Sequence, residues 1–179
     1  GDYDGDGRDD VFWYGPGAAD DYLWKSTGRG FVSRARPVSG HYAPVVVDAT
    51  ADGRSDIVWV QPGATTSARW DFAADTTYTG RVLTTPAPGS QAYPGDFDGD
   101  GRGDVLVYGK GTEPDAVWYS TPTGVSVRTV SVKGTYGVAT GPMDLTLGTV
   151  TSDVLFASLG SDTLWLMRTD RTHVASAVG

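Results

Sequence analysis

Two nine-residue windows concentrate the chemistry of this chain. Asp2-Tyr3-Asp4-Gly5-Asp6-Gly7-Arg8-Asp9-Asp10 and Asp96-Phe97-Asp98-Gly99-Asp100-Gly101-Arg102-Gly103-Asp104 both read D-x-D-x-D-G-x-x-D. Carboxylates packed this closely repel one another, and a bound cation is the usual compensation. Hard oxygen donors on a tight loop suit calcium, which takes roughly six to eight oxygens. In the first window the donors are Asp2, Asp4, Asp6 and Asp10, with the Arg8 carbonyl between them. In the second they are Asp96, Asp98, Asp100 and Asp104, with the Arg102 carbonyl. Gly7 and Gly101 stand at the sixth position, where the chain turns sharply and positive φ is cheap only for glycine.

An EF-hand loop closes with a bidentate glutamate at its twelfth position. Here the twelfth residues are Trp13 and Val107, which cannot bind a metal, and no helical pattern flanks either loop. The ninth residue, Asp10 or Asp104, must close the site, and a strand follows at once. The competing reading is a solvated acidic turn.

The loops recur, and the recurrence decides which elements position them. Asp2, Asp48, Asp96 and Asp144 open equivalent segments at intervals of 46, 48 and 48 residues. Each is followed by an apolar run: Val11 to Tyr14, Ile57 to Val60, Val105 to Tyr108, and Val154 to Ala157. A tryptophan comes next at a steady offset, at Trp24, Trp70, Trp118 and Trp165. The second copy keeps Asp48, Asp52 and Asp56 and the Arg54 carbonyl, but Thr50 replaces one carboxylate, which predicts a weaker site. The fourth, Asp144 to Asp153, keeps only its end carboxylates and is one residue longer, so no ion is expected there.

Four short strands are predicted per repeat; in the second they are Ala43 to Val47, Asp56 to Gln61, Ala68 to Ala73 and Tyr78 to Thr84. Turn-forming residues separate them, as at Gln61-Pro62-Gly63 and Thr85-Pro86-Ala87-Pro88-Gly89. No stretch sustains a helical period. A period near 47 residues with four strands per unit predicts an all-β fold, a β-propeller of four-stranded antiparallel blades. The strand after each loop is apolar on both faces and should be covered on both sides. All six tryptophans occupy equivalent positions, which predicts packing between blades. One domain is expected over 1–179, with repeats at about 1–41, 42–91, 92–137 and 138–179.

Composition narrows the function. The chain has 179 residues, a net charge of −8 and no cysteine, so no disulfide contributes. The acids are 21 Asp against the single Glu113, a bias toward turns and metal loops rather than helices. An acidic chain with few basic clusters is a poor partner for nucleic acid. No apolar run approaches ~18 residues, so no membrane-spanning helix is expected. No leader is visible at Gly1-Asp2, as in a mature or excised domain. Catalysis is not expected: there is no cysteine, no G-x-S-x-G elbow and no zinc-binding histidine pair, and the clustered acids are committed to loops. His41 and His173 sit at non-equivalent positions and are expected to be exposed or hydrogen-bonded. Asp20, Asp21, Asp115 and Asp162, just before the tryptophan strand, are expected to stabilise a turn.

The loop followed by an apolar strand resembles the FG-GAP/VCBS-type calcium-binding repeats, the integrin-α-like propeller repeats of many secreted bacterial proteins. The resemblance rests on Gly1 to Tyr14 and Gly95 to Tyr108, with weaker copies at Asp48 to Val60 and Asp144 to Ala157. It implies a seven- or eight-bladed propeller, structural calcium, an extracellular setting, and adhesion or binding of a carbohydrate or protein. A non-catalytic accessory domain of a secreted hydrolase is the alternative, and a glycoside-processing propeller a more remote one. The variable loops Gly15 to Asp21, Pro62 to Ala68 and Gly109 to Asp115 are where a ligand would be met. Tyr42, Tyr78, Tyr93, Tyr119 and Tyr136 could meet a sugar face, with core or rim packing the stronger reading. Four repeats leave three arrangements open: a fragment of a larger propeller, which is preferred, a compact four-blade ring, or self-association that completes a ring.

Overall fold

The structure, a computed structural model, describes residues 1–84, 91–143 and 150–178. The predicted separator Thr85 to Gly89 and most of the fourth loop, Asp144 to Gly148 included, lie outside the described residues. Among the described residues there is no helix, so none is long and apolar enough to cross a membrane.

Short runs of β-branched and aromatic residues form the strands, and each acidic loop reverses the chain between two of them. Blade 1 holds β1 (Val11–Trp13), β2 (Tyr22–Ser26) and β3 (Phe31–Ala35). Blade 2 holds β4 (Ala43–Val47), β5 (Asp56–Val60), β6 (Ser67–Phe72) and β7 (Tyr78–Leu83). Blade 3 holds β8 (Gln91–Gly95), β9 (Asp104–Tyr108), β10 (Asp115–Thr121) and β11 (Gly124–Val130). Blade 4 holds β12 (Gly137–Gly141), β13 (Asp153–Ala157), β14 (Asp162–Met167) and β15 (His173–Val178). Every sheet is antiparallel in sequence order, with three strands in blade 1 and four in the others. In blade 2 the predicted strands match within one residue at each end, and β8 opens at Gln91, one residue before the predicted repeat boundary. The fold is therefore all-β and blade-like, as the repeat implied. The first strands of successive blades lie side by side, β4 against β8 and β8 against β12, and the sheets do not close into a ring.

Side chains alternate along each strand, so every blade has two faces. Phe12, Tyr14 and Leu23 of blade 1 meet Ile57, Trp59, Trp70 and Phe72 of blade 2. Val58, Val60 and Leu83 on the other face of blade 2 meet Val105, Val107 and Trp118 of blade 3. Leu106, Tyr108, Val117 and Tyr119 then meet Val154, Phe156, Trp165 and Met167 of blade 4. As predicted, β5 and β9 are buried along their whole length. Trp59 is enclosed by Phe12, Tyr14, Tyr42 and Trp70, with ring centroids 5.1 to 6.0 Å away. Edge-to-face pairs of this kind add about 0.5–1.5 kcal/mol each to the burial itself.

Two tryptophans depart from the expectation of packing between blades. Trp13 is 52% exposed and Trp24 is 36% exposed. They pack on each other at 5.3 Å, with Phe31 beside Trp24, on the face of blade 1 that no blade covers. Their equivalents in blade 3, Val107 and Trp118, are fully buried against blade 2. The repeat pattern was right about the face, but among the described residues no blade packs against it.

Candidate metal centre

The first aspartate of each described loop organises the backbone. Asp2 accepts from the N–H groups of Gly5 (2.8 Å), Asp6 (3.2 Å) and Gly7 (2.8 Å). Asp48 accepts from Asp52 (3.1 Å) and Gly53 (2.8 Å), and Asp96 from Gly99 (2.7 Å) and Gly101 (2.9 Å). The sixth-position glycines have the positive φ predicted for Gly7 and Gly101, 82° and 84°, and Gly53 in loop 2 has it as well, at 82°. The fourth position is left-handed as well: Gly5 and Gly99 fill it in loops 1 and 3, and Ala51 fills it in loop 2 at φ 58°. The loops line one seam, each stitched to the next. Ser55 N–H donates to the Asp2 carbonyl (2.7 Å), Gly103 to Asp48 (2.6 Å) and Ser152 to Asp96 (2.6 Å).

The closing aspartate has a second task, not legible in the motif. Asp10, Asp56, Asp104 and Asp153 are all buried. One carboxylate oxygen of each accepts from the residue at or just before its loop, at Tyr3 (3.0 Å), Ala49 (3.0 Å), Phe97 (2.9 Å) and Met143 (2.9 Å). The other accepts from the strand beyond, at Ser26 (2.8 Å), Phe72 (2.8 Å), Ser120 (2.8 Å) and Met167 (2.9 Å). The acid thus clamps three segments of its blade. Burial is the largest influence on these acids in the middle blades, pushing Asp56 up to about 6 and Asp104 up to about 7 against the pull of the donated N–H groups.

Not all predicted ligands converge. Asp2, Asp4 and Asp6 bring carboxylate oxygens within 4.8 Å of one another in loop 1, as do Asp96, Asp98 and Asp104 in loop 3. Asp10 serves as a clamp outside the first trio, and Asp100 stands outside the second, accepting from the Arg102 N–H at 2.8 Å. Among the described residues no three-acid group forms from Asp48, Asp52 and Asp56, since Thr50 offers no carboxylate. The arginines following the glycine contribute visible side-chain contacts: Arg8 to Asp6 at 2.7 Å, Arg54 to Asp52, and Arg102 to the Thr50 carbonyl at 2.6 Å. The two trios are oxygen-only donor sets without histidine or cysteine, which fits a hard cation such as calcium.

Two basic residues that sequence reasoning missed face these trios. The Lys25 ammonium pairs with Asp4, which raises the lysine's pKa, with Asp6 and Asp10 adding to the effect. The Arg171 Nε donates to Asp98 Oδ2 at 2.8 Å, and its guanidinium lies 4.5 Å over the Tyr119 ring. Lys25 follows the repeat tryptophan directly, a signal available in the sequence; Arg171 comes from the next blade and left none.

Other singled-out residues are structural. Asp21 accepts from Gly15 (2.7 Å) and Val38 (2.8 Å), and Asp115 from Gly109 (2.8 Å) and Val132 (2.7 Å). Asp162 accepts from Ser158 at 2.9 Å, so Asp21, Asp115 and Asp162 each close a turn, through an N–H upstream of the acid. In blades 1 and 3 a second bond reaches a distant segment; Asp20 is exposed. Tyr14 and Tyr108 donate to the carbonyls of Gly40 (2.9 Å) and Gly134 (2.8 Å) and accept from the N–H of Tyr42 (2.8 Å) and Tyr136 (3.0 Å). All these pairs lie 94 residues apart, so blade 3 repeats blade 1 more closely than blade 2 does. Gly15 to Asp21 and Gly109 to Asp115, predicted to vary, differ in sequence but share the same bridge and the same closing hydrogen bond. Tyr78 stacks on Trp70 at 3.9 Å, Tyr119 is buried, and His173 stacks on Trp165 at 4.0 Å.

At the end of the strands opposite the acidic loops, two clefts lie between blades 1 and 2 and between blades 3 and 4. The first is lined by Pro16, His41, Tyr42, Ala43 and Pro62. The second includes Lys110, Thr135, Tyr136 and Gly137, each 94 residues beyond a residue of the first, together with Tyr93 and Leu159.

Tandem antiparallel blades joined through acidic loops define a propeller-type repeat protein. The FG-GAP-like repeat family matches residues 2–59 and again 48–107. The chain belongs to this family. A chain of the Photorhabdus luminescens Tc holotoxin pore has a similar fold, with a TM-score of 0.54 at 18% sequence identity. That similarity covers 93% of this chain and 9% of the toxin chain. No curated protein sequence matches the chain.

Proposed function

We propose that this chain is a calcium-stabilised, non-catalytic binding module of a secreted protein, in which the metal is structural. One observation carries the reading: three carboxylates converge in loops 1 and 3, and loop 2, with the same backbone scaffold but Thr50 at its third position, forms no such trio among the described residues. The residues that would hold the ions are Asp2, Asp4 and Asp6, and Asp96, Asp98 and Asp104. Two ions would offset about four of the negative charges that crowd this seam. Thermal unfolding in chelator and in millimolar calcium tests the reading. Calcium should raise the melting temperature, because the metal binds the folded loop and little of the unfolded chain. Coincident curves would refute it.

The ligand, a glycan or an extracellular protein, is assigned to the paired clefts at the opposite end, where Tyr42 and Tyr136 present equivalent surfaces. Silence across neutral and acidic glycans on an array would remove the carbohydrate version. A second reading, an accessory module docked beside another domain, is favoured by the exposed Trp13, Trp24 and Phe31 face of blade 1. An unpaired apolar face of this type suits contact with a further blade or a partner surface.

A further inference from the structure

We propose that Lys25 and Arg171 are built-in counter-cations, which hold the third-position aspartates of loops 1 and 3 until a divalent cation displaces them. The proposal rests on the calcium reading and adds how the site is regulated: metal must compete with the protein's own charge.

Asp4 and Asp98 are each only 6% exposed. At that depth a carboxylate gains from a positive partner, and each of these two has one. The third-position acid of each loop takes one cation, from a different element in the two cases. Lys25 lies 15 residues after Asp10; the same position after Asp104 is Tyr119, which carries no charge. Loop 3 receives Arg171 instead, from the tight turn between β14 and β15 of the next blade. The corresponding turn in blade 2 has the same geometry. Thr76 N–H donates to Ala73 and Arg171 N–H to Arg168, both at 2.8 Å, and both residues have φ 64°. Loop 1 therefore pairs Lys25 with an uncharged Thr76, and loop 3 pairs an uncharged Tyr119 with Arg171.

Loop 2 provides the control within the molecule. Its third residue is Thr50, which has no charge to compensate. The position matching Lys25 is Asp71, committed to Arg69 (2.6 Å) and Arg81 (2.6 Å), and the turn between β10 and β11, Thr121 to Gly124, contains no basic residue. A cation pairs with the third side chain only where that side chain is a carboxylate; in loop 2 Arg102 donates to the Thr50 carbonyl instead.

The pose of Arg171 is built rather than incidental. A non-glycine residue at positive φ is costly and persists when its surroundings fix it. Thr76 shares that φ, so the turn itself fixes the backbone, and the Asp98 bond and the Tyr119 ring fix the Arg171 side chain. Asp98 Oδ2 is held by Arg171, and Oδ1 accepts from Asp100 N–H at 3.3 Å. An ion seated in the trio meets a guanidinium already on its ligand, and like charges a few ångströms apart cannot share it cheaply. Loading loop 3 accordingly frees the β14–β15 turn from blade 3.

The test is a calcium titration of the chelator-treated full chain by calorimetry, with Lys25→Met and Arg171→Met, and Lys133→Met as an exposed control. The Arg171 Nε–H resonance is followed by NMR in parallel. Each of the first two variants should bind calcium about tenfold more tightly at its own loop, as expected for removing one neighbouring like charge, and the control should not change. In the wild-type chain the Arg171 resonance should move to a solvent-exchanging position as calcium is added. Tighter binding in the variants together with that shift supports the proposal, as does binding seen only in the variants. Wild-type binding with unchanged or weaker affinity in both variants, or an Arg171 resonance that ignores calcium, overturns it and leaves the calcium reading standing. No binding by any chain overturns both.

Discussion

Loops 2 and 3 share a backbone and differ in what they can hold. In both, the first aspartate gathers the N–H groups of the turn, and the ninth is clamped between the loop and the strand beyond. Only loop 3 adds a buried acid at the third position, Asp98, where loop 2 has Thr50. The difference separates two jobs inside one motif. The first and ninth aspartates make the loop fold; the third decides whether the folded loop presents a cation trio. A loop can lose the second job and keep the first, because backbone hydrogen bonds to carboxylates do not depend on a metal.

The largest expected effect tests the clamp. Asp56→Ala and Asp104→Ala should each cost about 2–4 kcal/mol, since each removes two hydrogen bonds to a charged group and strands buried N–H donors. The losses, read from urea midpoints in chelator, should be similar in the two loops. A silent Asp56→Ala beside a damaging Asp104→Ala would break the comparison, since in chelator no metal can account for the difference. Next in size is the metal-dependent part. Calcium at a hundredfold excess over its dissociation constant stabilises a site by about 2.7 kcal/mol. Asp98→Ala should abolish that increment for loop 3, whereas Thr50→Ala should leave the calcium response of the chain unaltered.

Much of this was readable from the chain. The interval between loops gave the blade, and strands such as β4 and β7 fall within one residue of where the turn residues placed them. What local sequence could not carry was anything set by a neighbouring blade. Trp13 and Trp24 match the repeat yet are exposed, because burial depends on a surface that sequence position does not reveal. Arg171 reaches Asp98 across 73 residues, and buried Arg69 reaches the carbonyls of Thr121 and Gly124 across 52 and 55. The clamp was hidden for another reason. A carboxylate that binds a metal and one that binds two amides look alike in a motif, and only geometry distinguishes them. The 94-residue relation of Tyr14 to Tyr108 and of Asp21 to Asp115 was within reach, by comparing alternate rather than adjacent repeats.

A smaller effect sharpens the third-position argument from the other side. Thr50→Asp restores the missing acid to a loop whose scaffold already matches. In chelator it should lower stability by about 1 kcal/mol, because a further charge joins Asp48, Asp52 and Asp56 without a cation of its own. Calcium should reverse the loss, giving a third binding event by calorimetry. A variant that stays indifferent to calcium would mean that the third carboxylate is not what separates the two loops.

The smallest effect concerns the backbone alone. Ala51 sits at φ 58°, where Gly5 and Gly99 sit at 76° and 73° in the sister loops. The left-handed conformation costs an L-residue about 1–2 kcal/mol, and glycine returns part of the gain through its extra freedom in the unfolded chain. Ala51 is exposed, so its methyl contributes little packing. Ala51→Gly should therefore stabilise the chain by about 0.5–1 kcal/mol, a rise of about 2 °C in melting temperature for a domain of this size. The gain should be the same in chelator and in calcium, because it acts on the scaffold and not on the trio. A gain confined to calcium would show that loop 2 binds metal despite Thr50, and the division between its folding acids and its missing ligand would fall.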